Sequence, residues 1–341
     1  MCRLGDLWPV GRWPNSVGWV PYVPGLHQAL DLPDAAALDQ LLQLPLPMMP
    51  QALPQVALQA PPQLPLPTYA DVPYGPHERH VLDFWQPDPA ARGQPTPLMV
   101  IIHGGGFRGG DKRALGPAQL ERWLGTGLSV ASINYRLSQH APAPASFQDG
   151  ARAIQFLRTK AGEWGFDPRR VAASGGSAGA GISLWIGFHD DLADPASDDP
   201  VARQSTRLSC MLVRNGQTSY DTRFIRRHIA GAAFQTAALI QLYQLEEGES
   251  ENPPPEKARV MEETAPINFV SAGDPPAYLT YSQQNLPTTP ETNEGTGIHH
   301  PTFGYLLKEK MDALGIECVV RCGVTPPGEP AEIDWLLKHL R

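Results

Sequence analysis

Serine 177 sits in the run Gly175-Gly176-Ser177-Ala178-Gly179, preceded by the short apolar segment Val171 to Ala173. A serine hydroxyl is a weak nucleophile, so a chain that uses one must expose it and supply charge stabilisation beside it. A Gly-x-Ser-x-Gly turn between a strand and a helix does the exposing, because glycines two residues either side let neighbouring backbone pass close to a strained corner. The N–H of Ala178, at the head of the following helix, then faces the oxygen of any tetrahedral adduct. Upstream, Pro97 to Ile102 (PLMVII) reads as a buried strand that runs into His103-Gly104-Gly105-Gly106. A loop of bare glycine backbone can aim further N–H groups, those of Gly105 and Gly106, at the same oxygen. Two such motifs, each closing an apolar strand, describe acyl-transfer chemistry.

The elements that must hold these residues alternate along the chain. Arg79 to Trp85 and Leu128 to Tyr135 read as strands, Leu115 to Gly125 and Phe147 to Trp164 as helices, and Arg170 to Ala173 as the strand entering the serine turn. Ser209 to Val213, Pro275 to Tyr281 and Ile316 to Val320 are further strands; Arg223 to Tyr243 and Thr302 to Ala313 are further helical stretches. Such alternation predicts a mostly parallel sheet with helices on both faces, whose ligands bind at the carboxyl ends of the strands. Residues 1–67 differ, being dense in proline and early tryptophan, and are expected to form a leader or N-terminal cap segment, with Asp34 to Leu44 its one modestly helical piece. The domain itself is expected over 68–341.

Composition narrows the partners. The 341 residues carry 27 Lys and Arg against 35 Asp and Glu, a net charge of -8, which argues against nucleic acid or an anionic membrane as the main partner. No apolar run approaches the roughly twenty residues of a membrane span. Cys2, Cys210, Cys318 and Cys322 are too scattered for a disulfide framework, and the aspartates of residues 189–200 lack a calcium-ligand spacing, so neither a metal nor a cofactor is expected.

The HGGG loop, Tyr135-Arg136-Leu137, the run Ala143 to Gly150 (APASFQDG) and the GGSAGA turn together resemble the hormone-sensitive-lipase-like branch of the α/β-hydrolase esterases. The resemblance implies an α/β-hydrolase fold with cap helices after the strand Ser209 to Val213, where the short insertion leaves a modest lid, a Ser177 nucleophile, an oxyanion hole from Gly105, Gly106 and Ala178, and small acyl esters as substrates. It also implies that His103 shapes its loop and takes no proton from serine. Past Ser177 the chain departs from the family pattern. Where the family carries an aspartate after the strand Pro275 to Tyr281 stands Asn285, and the loop 321–332, where the family carries its histidine, holds none. His339 lies too far along the last helix. His299 and His300 sit on the connection that would carry the acid; one of them, with His300 singled out, is a displaced base or else a cap of the helix after Pro301. Asp274, Glu291 and Glu294 are not convincing acids. Two readings follow: a serine carboxylesterase with an incomplete triad, or a pseudoenzyme that keeps the esterase scaffold and binds a ligand without turnover.

Overall fold

A computed structural model describes residues 64–88, 95–324 and 330–341. The expected leader lies outside the described residues except for its last four. There Leu64 packs on the domain and the Pro65 carbonyl accepts a hydrogen bond from Trp85 Nε1. Asp34 to Leu44 is likewise outside them.

The chain enters a sheet with β1 (Tyr69–Pro73) and β2 (Val81–Trp85), joined through the turn at Tyr74-Gly75-Pro76. β3 (Thr96–Ile102) leads into the HGGG loop, α1 (Pro117–Gly125), β4 (Ser129–Ile133) and α2 (Ala145–Trp164). β5 (Phe166–Gly176) turns at Ser177 into α3 (Ala178–Phe188), and β6 (Cys210–Arg214) follows. Next come α4 (Thr222–His228), a 3-10 turn (Ala233–Gln235), α5 (Ala237–Leu242), α6 (Pro255–Glu263) and α7 (Pro266–Phe269). β7 (Ala277–Tyr281), α8 (Glu294–Ile298), α9 (Thr302–Ala313), β8 (Cys318–Cys322) and α10 (Pro330–His339) complete it. The described residues form one eight-stranded sheet in the order β1-β2-β4-β3-β5-β6-β7-β8. It is antiparallel at β1/β2 and β2/β4 and parallel from β4 to β8.

β3 shows why the strands read as continuous apolar runs. Leu98, Val100 and Ile102 enter one core with α2, α3 and α9, while Met99 and Ile101 enter the other with Trp123 of α1 and Trp335 of α10. A strand covered on both faces has no polar side to alternate with. The stretch 223–243, expected as one helical region, is instead broken at Ile229 to Ala232. Gly231 adopts φ +96°, and a β-carbon there would overlap the Thr292 carbonyl, so backbone contact with the segment before α8 interrupts the helix. The pieces form the modest lid. Arg108 Nε donates to Gln241 Oε1 at 2.9 Å, and the Ala238 methyl lies 3.2 Å from where a β-carbon on Gly106 would stand.

Candidate active site

Ser177 occupies the corner between β5 and α3 with φ 51° and ψ -119°, a backbone conformation unfavourable for a residue with a side chain. The neighbours hold it there. Its N–H donates to the Arg214 carbonyl at 2.9 Å, and its own carbonyl accepts from Gly181 N at 3.1 Å. A β-carbon on Gly179 would overlap the carbonyls of Ile102 and His103, and one on Gly175 would overlap the Ile102 carbonyl. The glycines flanking Ser177 are therefore what allow β3 and its loop to press against the turn. That loop is adjacent to the serine: a β-carbon on Gly104 would stand 3.7 Å from Ser177 Cβ.

Gly105 and Gly106 follow with φ +115° and +59°, conformations that glycine adopts without penalty. The loop is clamped by His103, which is buried. Arg79 Nη2 donates to His103 Nε2 at 3.1 Å, which leaves the ring proton on Nδ1 to donate to the Gly104 carbonyl at 2.7 Å. Tyr135 stacks on the ring, with centroids 4.3 Å apart, and its hydroxyl donates to the His103 carbonyl at 2.9 Å. Burial pushes the His103 imidazole down to about 4, so it is neutral at pH 7, with Nε2 accepting from Arg79 and Nδ1 donating into the loop. Behind it, Asp149 accepts from the N–H and guanidinium of Arg136 and lies 3.0 Å from His80 Nε2. Burial pushes the Asp149 carboxyl up, but the hydrogen bonds from His80 and Arg136 outweigh it and hold the group below its ordinary range. The Tyr135-Arg136-Leu137 and APASFQDG motifs are thus the scaffold of this clamp.

His299 caps the C-terminus of α8, and its Nε2 lies 2.9 Å from Ser177 Oγ. Its Nδ1 lies 3.0 Å from the Gly295 carbonyl one turn back. Because a carbonyl only accepts, that bond puts the proton on Nδ1 and leaves the Nε2 lone pair for the serine hydroxyl. His300, the residue singled out from sequence, turns the other way into the interior. Its Nε2 lies 2.8 Å from the Leu286 carbonyl and its Nδ1 2.8 Å from Thr302 Oγ1, so both ring nitrogens are engaged in holding the entry to α9. The cap reading fits His300 and the contact with serine falls to its neighbour. Asn285 is exposed, and the position expected of the acid is filled by the Gly295 backbone instead. Glu291 and Glu294 are exposed, Asp274 caps a turn at Ser271, and His339 lies beside Glu317 at 3.3 Å. Among the described residues no carboxylate lies within hydrogen-bonding distance of His299, and no group of three or more His, Cys, Asp or Glu could hold a metal ion.

Both histidines stand out in the sequence, and little there separates the one that faces the serine from the one that does not. The available signal was Thr302, two residues after His300 and able to engage its ring. The Gly295 carbonyl, being backbone, has no signature in sequence.

Comparison with known proteins bears on the family and the fold. The family model described as BD-FAE matches residues 82–287, more than half of the chain. The esterase LipQ of Mycobacterium tuberculosis is 32% identical over 133 residues, 39% of this chain and 30% of that one. The carboxylesterase NlhH of the same organism is 37% identical over 87 residues, 26% of this chain and 27% of that one. These matches therefore span less than a third of either relative's length. Among solved structures, a truncated carbohydrate esterase from gut microbiota superposes with a TM-score of 0.62 at 20% identity, covering 80% of this chain and 95% of that one. The native esterase Est2 of Thermogutta terrifontis superposes with a TM-score of 0.55 at 21% identity, covering 82% and 91%. Likeness at this identity shows the fold, which is that of the α/β hydrolases, and the named relatives bear out the resemblance to hormone-sensitive-lipase-like esterases. With the family model spanning β2 through the strand that precedes the histidine connection, the chain belongs to the BD-FAE family of α/β hydrolases.

Proposed function

We propose that this chain is a serine carboxylesterase acting on small acyl esters through a Ser177–His299 dyad. The observation that carries the reading is the 2.9 Å separation of Ser177 Oγ and His299 Nε2 at a strained strand-to-helix corner. His299 Nε2 takes the hydroxyl proton as Oγ bonds to the ester carbonyl carbon. The carbonyl oxygen, now an oxyanion, accepts from the N–H groups of Gly105, Gly106 and Ala178. Collapse of the adduct breaks the bond to the alcohol oxygen, which takes the proton from His299. Water then repeats the sequence on the acyl-serine and releases the acid. The esterase names of the relatives support the reaction class.

A carboxylate behind such a histidine has two tasks, to fix the tautomer and to stabilise the imidazolium. The Gly295 carbonyl performs the first and, being uncharged, only part of the second. Loss of that carboxylate from a serine hydrolase costs on the order of 10⁴-fold in rate, part of it through the wrong tautomer, so with the tautomer held by the Gly295 carbonyl the missing charge is expected to cost less than that. The same missing carboxylate is what favours the second reading, a pseudoenzyme. Steady-state hydrolysis of p-nitrophenyl acetate decides between them. Turnover abolished by Ser177→Ala is expected; wild-type protein no faster than Ser177→Ala would leave the pseudoenzyme.

A further inference from the structure

The loop that leaves β6 touches both halves of the candidate site. A β-carbon on Gly216 would stand 3.0 Å from Ala180 Cβ, and Tyr220 packs on Gly181 so closely that no β-carbon fits there. The loop therefore rides on α3, the helix that begins at Ser177. On its other side Gln217, which is 1% exposed, donates from Nε2 to the Ile298 carbonyl at 2.6 Å and to the Asn215 carbonyl at 3.2 Å, while its Oε1 accepts from Tyr220 OH at 3.3 Å. Thr218, fully buried, donates from Oγ1 to the Phe303 carbonyl at 3.0 Å. His299 thus lies between two backbone carbonyls that the same loop holds.

Resting on the reading of Ser177 and His299 as the reacting pair, we propose that Gln217, assisted by Thr218, is a positioning residue that sets the His299 imidazole against Ser177. The physical need is plain from α8. Five residues are too few for a helix to be stable by its own hydrogen bonds, so tertiary anchors decide where its last turn stands. Gln217 is anchored through Tyr220 to the helix behind the nucleophile, so it ties the base to the serine by a path of two side chains. Releasing the Ile298 carbonyl frees the turn, and a displacement of about 1 Å in a reacting pair costs on the order of 10²-fold.

The test uses the full chain. Gln217→Met keeps the side-chain length and removes the donor; Thr218→Val keeps the shape and removes one hydroxyl. Hydrolysis of p-nitrophenyl acetate is measured with Ser177→Ala and His299→Ala as references, and thermal midpoints are recorded so that assays run well below them. Gln217→Met is expected to lower kcat by about 10- to 100-fold with KM within about twofold, and Thr218→Val to shift kcat the same way by less. A lowered midpoint with kcat within about twofold of wild type, in a background where both references are inactive, overturns the positioning role while leaving the dyad intact. References that retain wild-type hydrolysis overturn the dyad reading itself, and with it the positioning role. Should Gln217→Met not fold, Thr218→Val is judged by the same criterion: a kcat loss at unchanged KM supports the brace, and an unchanged kcat overturns it.

Discussion

Two adjacent histidines, identical in chemistry, have opposite environments. His299 is half-buried with one ring nitrogen on Ser177 Oγ; His300 is buried with both nitrogens committed to Leu286 and Thr302. His300→Gln should therefore act on folding: loss of its buried bonds is expected to lower stability by about 1–3 kcal/mol in urea titration. Asn285→Asp is a sharper case. An exposed carboxylate away from His299 Nδ1 cannot replace the Gly295 carbonyl, so kcat/KM is expected to stay within about twofold of wild type on a short-chain ester. A gain of tenfold or more would mean that the loop brings position 285 onto the imidazole. Ser177 and the glycines of both motifs were legible in sequence because their backbone conformations restrict residue type. The proposed base was half legible, since neighbouring positions on a turn diverge in direction and only the packed structure assigns each a partner. Gln217 was not legible at all, as its role depends on a carbonyl eighty-one residues away.

At the scale of elements, the site is an intersection of β3, β5 and α8. The first two meet through glycine. Gly179→Ala would drive a methyl into the Ile102 and His103 carbonyls, and overpacking of this kind costs roughly 1–3 kcal/mol, with a shift of the HGGG loop away from Ser177. The expected result is a lowered thermal midpoint together with a fall in kcat; wild-type values for both would show that the close approach has slack. The parallel strands were readable because double-sided burial leaves uninterrupted apolar runs. The short helix α8 was not, since EGTGI has no apolar period and its position is set by Gly297 against Ala233 and by the Gln217 bond. For the same reason the break in the lid at Gly231 escaped periodicity: a backbone contact with Thr292 interrupts it.

Across the whole molecule, the clamp behind the HGGG loop makes stability depend on pH. Burial lowers the His103 imidazole from 6.5 to about 4, so the native state resists a proton that the unfolded chain accepts. Its contribution is present above pH 6.5 and is lost as pH falls from there to about 4, by roughly 3 kcal/mol in total. Urea titrations of wild type and His103→Asn at pH 7 and pH 4.5 measure this; the pH-dependent loss is expected to be smaller in the variant. Equal losses would mean that His103 is solvated in the native state.

The direct test of the site is the pre-steady-state acylation of Ser177. Full-length wild type, His299→Ala and His300→Gln are mixed with p-nitrophenyl acetate, the nitrophenolate burst is timed, and the acetylated residue is located by peptide mass spectrometry. The predicted result is acetyl on Ser177, formed about 10³-fold or more slowly in His299→Ala and near the wild-type rate in folded His300→Gln. Acetyl on another residue, or an unchanged burst rate in His299→Ala, would contradict the Ser177–His299 pair.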